Sequence, residues 1–473
     1  WSPYDKLNDG DTRHWTNDEK PLEGLLRVDG KTYRFMGSKD KYLLESIVPM
    51  ADEVRWKAQY TRKNPGAGWE KPDFNASGWK EGEAAFGSPD LSFVSTRWSE
   101  ENSDLYVRRS FDLTEEDLKN DLYLVYSHDD VFELFINGTS VVKTGETWRE
   151  GIKLHLTDDM KKLLKPGKNE IAPHCHNTTG GAYTDFGLYK NLARSNEQIM
   201  QAEQKSVSVL ATSSYYTFVC GPVELDVVFT APMLINDYDL LSMPINYISY
   251  QVRSTDKKTH DVQFYLSANP LQGVNKSSQP TVSSTVIKNG VKYLKTGTID
   301  QPILAKKGDG ICIDWGYFYM PNVNGNVSLA AENTVKDAFL STGELPVGEN
   351  EIVCRKASQM PTLAYVHNFG NVTTASSFTM LGYDEVQDIE YMYERYKGYW
   401  AHGGKVTIFD AFDRMKNSYS DLMAKCREFD KMIYDDGLKA GDVKYAEILS
   451  GSYRHVIAAH KLFQDKDGNL LFF

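Results

Sequence analysis

Five cysteines are spread over 473 residues, and no two of them form a C-x-x-C pair. Cys175, Cys220, Cys312, Cys354 and Cys426 therefore give neither a zinc-binding spacing nor a disulfide framework. His174-Cys175-His176 and His128-Asp129-Asp130 lack a supporting ligand spacing, so no metal or other cofactor is expected. An apolar run of about 18 residues is also missing, which excludes a membrane-spanning helix. Basic residues are outnumbered, 53 to 65, for a net charge of -12. No cationic surplus is left to neutralise phosphates, so nucleic acid is excluded as a partner. A Gly-x-Ser-x-Gly elbow that would present a nucleophilic serine is absent too. The chain opens at Trp1-Ser2-Pro3 rather than at Met, which suggests a removed leader and a secreted or periplasmic protein. The sequons Asn137-Gly138-Thr139 and Asn177-Thr178-Thr179 are compatible with export.

What is present is β-patterned for most of the length. A chain this long exceeds one core, and about three domains are expected. Aromatics reach 12%, with 28 Tyr and 9 Trp, as suits rigid β domains or carbohydrate-stacking surfaces. Residues 1–55 read as a β segment belonging to the sandwich, with a hairpin about Asp29-Gly30. The loop before it concentrates Asp11, His14 and Trp15, a mixture of functional groups that suggests the edge of a pocket. Residues 56–190 give short strands at regular spacing, including DDVFELFINGTSVV. Residues 191–380 alternate apolar and polar through SVSVLATSSYYTFVCGPVELDVVFTAPML and predict a large antiparallel sandwich.

After Ser376 the period changes, and from Asp384 onward apolar residues recur at three and four. Helices are expected from there through Val406–Asp435 and Val443–Phe463, broken at Gly403-Gly404 and Gly437. In the last of them Leu449, Val456 and Phe463 form an apolar stripe. Tyr453, Arg454, His460 and Lys461 fall on one arc beside it. Such a group can grip an anion and move a proton; the same pattern also describes a solvated basic face. The terminal Leu470-Leu471-Phe472-Phe473 is an improbable free end, which suggests a longer protein.

Two resemblances follow from these blocks. Residues 56–190, through Trp69, Trp79 and the Lys165-Pro166-Gly167-Lys168-Asn169 turn, resemble the jelly-roll sugar-binding domain of β-galactosidase-like glycosidases. WSPYDKLNDGDTRHWT, DYDLLSMPINYISYQVRSTDKKTHDVQFYLSA and LGYDEVQDIEYMYERYKGYW with KYAEILSGSYRHVIAAHKLF resemble, in order, three segments of the glutaminase A-like family. That family includes bacterial polysaccharide lyases acting on rhamnose-glucuronate linkages. The resemblance implies a multidomain β plus α fold: a jelly-roll insert, an antiparallel β-sandwich, and the first helices of an α/α toroid over 381–473.

It also implies an enzyme, either a lyase of arabinogalactan-type glycans or a glutamine amidohydrolase. A glycoside hydrolase and a noncatalytic glycan-binding protein are further alternatives. β-Elimination beside a uronate needs a cation on the carboxylate, a base and an acid. Arg454 or Lys461 suits the first role and Tyr453 or His460 the second. Tyr391, Tyr393 or His402 suits the third. Water activation would instead use Asp384, Glu385 or Glu394. Trp400 and His402 join Asp11, His14 and Trp15 as candidate binders of a glycan or small-molecule substrate.

Overall fold

A computed structural model describes residues 6–14, 16, 18–89, 94–193, 198–306, 311–356 and 359–473. Trp15 lies outside the described residues. The chain forms two compact units, one essentially residues 42–193, the other residues 1–41, 194–355 and 359–473. Residues 42–55, assigned by pattern to the sandwich, thus belong to the inserted unit: Leu44–Val48 pairs with Tyr183–Asn191.

The larger unit is a sandwich of two sheets. One has six strands in the order Met200–Gln201, Lys31–Met36, Leu22–Val28, His260–Ala268, Pro361–Val372, Asn326–Ala331. The other has nine, running from Glu203–Val209 through Ser213–Cys220, Val223–Thr230, Ile245–Ser254 and Thr374–Asp384. It continues through Tyr317–Pro321, Val291–Thr298 and Thr281–Lys288 to Glu351–Cys354. The hairpin at Asp29-Gly30 turns on two left-handed residues, φ 48° and 81°. Such a turn matches the twist of the flanking strands.

Period-2 alternation directs the strand Ile245–Ser254 to two cores. Ile248, Tyr250 and Val252 enter the sandwich interior with Leu22, Phe35, Phe218 and Leu266. Ile245 and Tyr247 face the opposite way, towards Trp400, Phe412 and Met415. In the interior Tyr250 stacks on Phe264, with ring centroids 3.8 Å apart.

The helices covering the outer face of the nine-stranded sheet begin later than the periodicity suggests. Residues 384–396 are not helical. The strand runs to Asp384, and Ile389–Tyr391 with Glu394–Tyr396 forms a hairpin. Its turn residues Met392 and Tyr393 are left-handed, φ 50° and 67°. Neither residue type signals such a turn, which is why the apolar spacing there passes for a helix. Helices then span Ile408–Asn417, Tyr419–Ala440 and Val443–Ala458. Thr407 and Asp410 close the first with a reciprocal capping box. Gly437, expected as a break, lies inside the second helix. A Cβ there would stand 2.6 Å from the Cα of Ala446, so glycine permits the close crossing of the second and third helices.

The inserted unit is likewise two facing sheets. One has six strands, Thr139–Lys143, Val131–Ile136, Gly167–Asn177, Ser103–Leu113, Lys57–Thr61 and Lys80–Glu83. The other is built around Leu122–Asp129 and Tyr183–Asn191. Phe86, Trp98, Phe132 and Phe186 fill the interior. Trp69 is buried against Tyr106 and stacks with Trp79 at 6.2 Å. Burial makes this ring a packing element rather than an open stacking platform. Asn177 is also fully buried, with Nδ2 donating to the Glu100 carbonyl at 3.2 Å. The folded chain therefore offers no free amide at that sequon. Among the described residues no helix is long and apolar enough to cross a membrane.

Phe35 is fully buried, between Phe264 at 5.3 Å and Phe218 at 5.8 Å. Phe35→Ala is expected to cost ~3–5 kcal/mol in denaturant unfolding of the sandwich. A loss below ~1 kcal/mol would remove this aromatic cluster from the foundation of the fold.

Candidate active site

The strand Thr374–Asp384 is held between Ile245–Ser254 and Tyr317–Pro321, with Tyr317 opposite Asp384. It ends in a tight turn, Asp384-Glu385-Val386-Gln387-Asp388, that carries three carboxylates. Val386 sits at φ 63°. A β-branched residue held there stores strain of ~1–3 kcal/mol, which the surroundings must impose. They do so with several hydrogen bonds. The Val386 amide donates to Asp384 Oδ1 at 2.9 Å, and the Trp315 indole donates to the Gln387 carbonyl at 3.0 Å. The Tyr383 hydroxyl in turn donates to the Trp315 carbonyl at 2.7 Å. Gly316 (φ 78°) presses against the same turn: a Cβ there would lie 2.2 Å from the Asp384 carbonyl oxygen.

Glu385 is buried, and the Lys461 ammonium donates to its Oε1. Among the described residues its Oε2 has no hydrogen-bond partner. Burial pushes the carboxyl up to about 7, against the pull of Lys461 and with the repulsion of Asp388 and Asp384. Asp388 is raised as well, by burial first and with Lys461 again opposing. Burial pulls the Lys461 ammonium down, but Glu385 and Asp388 outweigh it and hold it charged. A carboxyl that titrates near neutrality can both give and take a proton at physiological pH.

Asp384, next in sequence to Glu385, lines a cavity of about 470 Å³ with Lys288, Tyr319, Lys397, Trp400 and the start of the helix Ile408–Asn417. Two ammonium groups, an aromatic edge and two carboxylates, Asp384 and Asp410, in one cleft suit a polar ligand that offers both acceptors and donors. A larger cavity, about 730 Å³, lies along the edge strand Glu203–Val209 and the helix Tyr419–Ala440.

The arc expected at Tyr453–Lys461 is not one surface. The helix stops at Ala458, so His460 and Lys461 leave its spiral. The buried stripe is Ala446, Ser450 and Ile457, while Val456 is exposed. Phe463 is fully buried, but in the hairpin Leu462–Gln464 with Leu470–Phe472, where it packs on Tyr391 and Tyr396. That anchor is what brings Lys461 over the carboxylate turn.

Tyr453 donates its hydroxyl to the Met233 carbonyl at 2.5 Å, and burial pushes the phenol up to about 12. Arg454 donates to Ser214 Oγ at 2.6 Å, and burial lowers its pKa although Asp430 opposes this. Both are tied into the seat of the helix. His460 is exposed and stacks on Phe472 at 5.0 Å. Tyr393 is 97% exposed at the hairpin tip. His402, left-handed at φ 44°, pairs with Asp239 at 2.8 Å. Asp11 is taken by Lys41 at 3.3 Å and the Ser38 amide at 3.2 Å. His14 lies within 3.4 Å of Cys312 Sγ. Of the expected residues that are described, Asp384, Glu385, Trp400 and Lys461 gather around the carboxylate turn and its cavity.

Sequence comparison matches residues 1–49 to a domain of unknown function (DUF4964) and residues 212–436 to another (DUF5127). Over 296 residues the chain is 25% identical to Glutaminase A of Aspergillus oryzae (strain ATCC 42149 / RIB 40), covering 59% of this chain and 41% of that protein. The chain thus spans well under half of that relative's length. Among solved structures it is similar to β-glucuronidase of Ruminococcus gnavus, at 10% identity and a TM-score of 0.24, covering 62% of this chain and 47% of the other. It is similar also to β-glucuronidase 2 of Bacteroides uniformis, at 13% identity and a TM-score of 0.25, covering 44% and 32%. TM-scores of that size carry no weight for activity.

A carboxyl whose folded pKa lies above its unfolded value binds more protons in the native state, so it stabilises at low pH and loses that contribution as pH rises. For Glu385 the loss falls between about 4.5 and about 7. Glu385→Gln is therefore expected to lessen the wild-type fall in melting temperature across that window. Identical slopes in the two proteins would contradict the burial account.

Proposed function

We propose that this chain is part of a carbohydrate-active enzyme whose proton-transfer group is Glu385, held by Lys461 beside a cleft that carries Lys288 and Lys397. The observation that carries the reading is the buried, strained carboxylate turn in which Lys461 reaches Glu385, an arrangement whose burial raises the carboxyl. The substrate class that fits best is a uronate-bearing glycan, cleaved by β-elimination at a rhamnose-glucuronate linkage. Lys397 and Lys288 would hold the uronate carboxylate and so acidify the neighbouring C–H. A carboxylate at the turn, Glu385 or Asp384, takes that proton. The bond to the departing oxygen breaks and a double bond forms; the same carboxyl, now protonated, gives its proton to that oxygen, which leaves as a hydroxyl. Two sheets facing each other in residues 42–193 support the jelly-roll resemblance, and with it a glycan-directed, secreted or periplasmic role. The three helices after Thr407 support the start of an α/α toroid.

A second reading, a Glutaminase A-type amidohydrolase, is favoured by the 25% relationship over 296 residues. Here the same carboxylates would activate water against a carboxamide.

The purified protein should be given a glucuronate-rich arabinogalactan in one assay and glutamine in another. Rising ultraviolet absorbance of an unsaturated uronate without ammonia release is the expected result, and Lys397→Ala should lower it ~10–100-fold. Ammonia release without that absorbance would overturn the lyase reading in favour of the amidohydrolase.

A further inference from the structure

The cavity of about 730 Å³ beside the edge strand Glu203–Val209 shares no lining residue with the cleft at Asp384. Tyr216 enters the sandwich interior, so its neighbour Tyr215 faces the opposite way and lines this cavity from the sheet. The helix Tyr419–Ala440 supplies a wall. Arg427, Asp430, Lys431 and Tyr434, at i, i+3, i+4 and i+7, share the helix face that forms it.

Asp430 is 1% exposed and lines the cavity. Its Oδ1 accepts from the Thr212 amide at 2.6 Å and from the Thr212 hydroxyl at 2.9 Å. Among the described residues its Oδ2 has no hydrogen-bond partner. The neighbouring Ser213 hydroxyl lies 3.1 Å from Thr230 Oγ1. A buried carboxylate oxygen without a donor is unfavourable, and a bound hydroxyl relieves it.

We propose that this cavity is a second carbohydrate site, which binds a neutral sugar unit. Asp430 Oδ2 accepts from one sugar hydroxyl, and the Arg427 guanidinium donates to another. The site stands independently of the reaction assigned to Glu385.

The charge balance selects a neutral ligand. Lys431 is paired with Asp435 one turn along the helix. The other charges on the lining are Arg427, Asp430 and Glu447. An anion would meet two carboxylates, and a cation would meet the guanidinium. Sugar hydroxyls both donate and accept, and the rings of Tyr215 and Tyr434 offer apolar surface to the C–H face of a sugar. Burial raises the Asp430 carboxyl, with Thr212 opposing. In either protonation state the group can hydrogen-bond a hydroxyl.

The test is saturation-transfer difference NMR of the purified protein with galactose, arabinose and rhamnose, each in millimolar excess. Transfer to the ring C–H protons of at least one sugar is expected. Arg427 is exposed, so Arg427→Ala spares the fold and should weaken that binding about tenfold or more. Asp430→Asn keeps the shape and an acceptor for Thr212 but loses the charged acceptor, and should weaken binding likewise. Lys397→Ala, in the other cleft, should leave it unchanged. No transfer to any of the three sugars would overturn the proposal, as would binding that survives both Arg427→Ala and Asp430→Asn or is lost in Lys397→Ala. Glucuronate bound more tightly than the neutral sugars, and lost in Arg427→Ala, would overturn the assignment of a neutral ligand.

Discussion

The central strands of the nine-stranded sheet are buried on both faces, and the positions of the carboxylate turn, the cleft and the helices all follow from that. A strand buried on one face already has its register specified, because a one-residue slip turns its apolar set to the solvent side. One whose alternate residues enter two separate cores is fixed in register, because a one-residue slip would exchange both sets. Thr374–Asp384 is such a strand: Leu381 packs in the sandwich and Met380 under the helices. Its end is therefore rigid, and the strained turn at Val386 is held by a frame that cannot relax around it. Gly316 and Trp315, from the neighbouring segment, press the turn from the other side.

Electrostatics then act within that frame. The chain carries a net charge of -12, so a buried acid is disfavoured twice, by lost hydration and by like charge nearby. Glu385 answers with a raised pKa and a single lysine partner rather than with full compensation. A buried pair of this kind is weak evidence for stability, because desolvation offsets much of the attraction. Its value lies in poising a proton near neutral pH. Arg454 is the contrast: it meets Ser214 and lies near Asp430, a carboxylate bonded to the Thr212 amide at 2.6 Å, and serves to seat the last helix on the sheet.

Much of the β architecture was legible from the chain. Alternation in Ser213–Thr230 and the Asp29-Gly30 turn both express period 2 and left-handed turn chemistry, which are local. The region 384–396 was not, since its turns rest on Val386, Met392 and Tyr393, residues that adopt left-handed backbone only under tertiary constraint. The candidate site was legible in part. Asp384, Trp400 and Lys461 were visible as functional types, and Glu385 as a carboxylate beside them. The pairing of Glu385 with Lys461 crosses 76 residues and depends on Phe463 docking in a hairpin. No periodicity records such a contact, and a helix drawn through Lys461 puts the ammonium on the wrong surface. The meeting of His14 with Cys312, 298 residues apart, is hidden for the same reason.

The central claim is that the Glu385 carboxyl is held between charged and neutral forms at physiological pH. Site-resolved titration of its side-chain carboxyl carbon by NMR measures this directly. A midpoint close to 7 is the result the account requires. A midpoint near the ordinary glutamate value of about 4.3 would mean that Lys461 outweighs burial and that the turn carries a plain ion pair instead of a proton-transfer group.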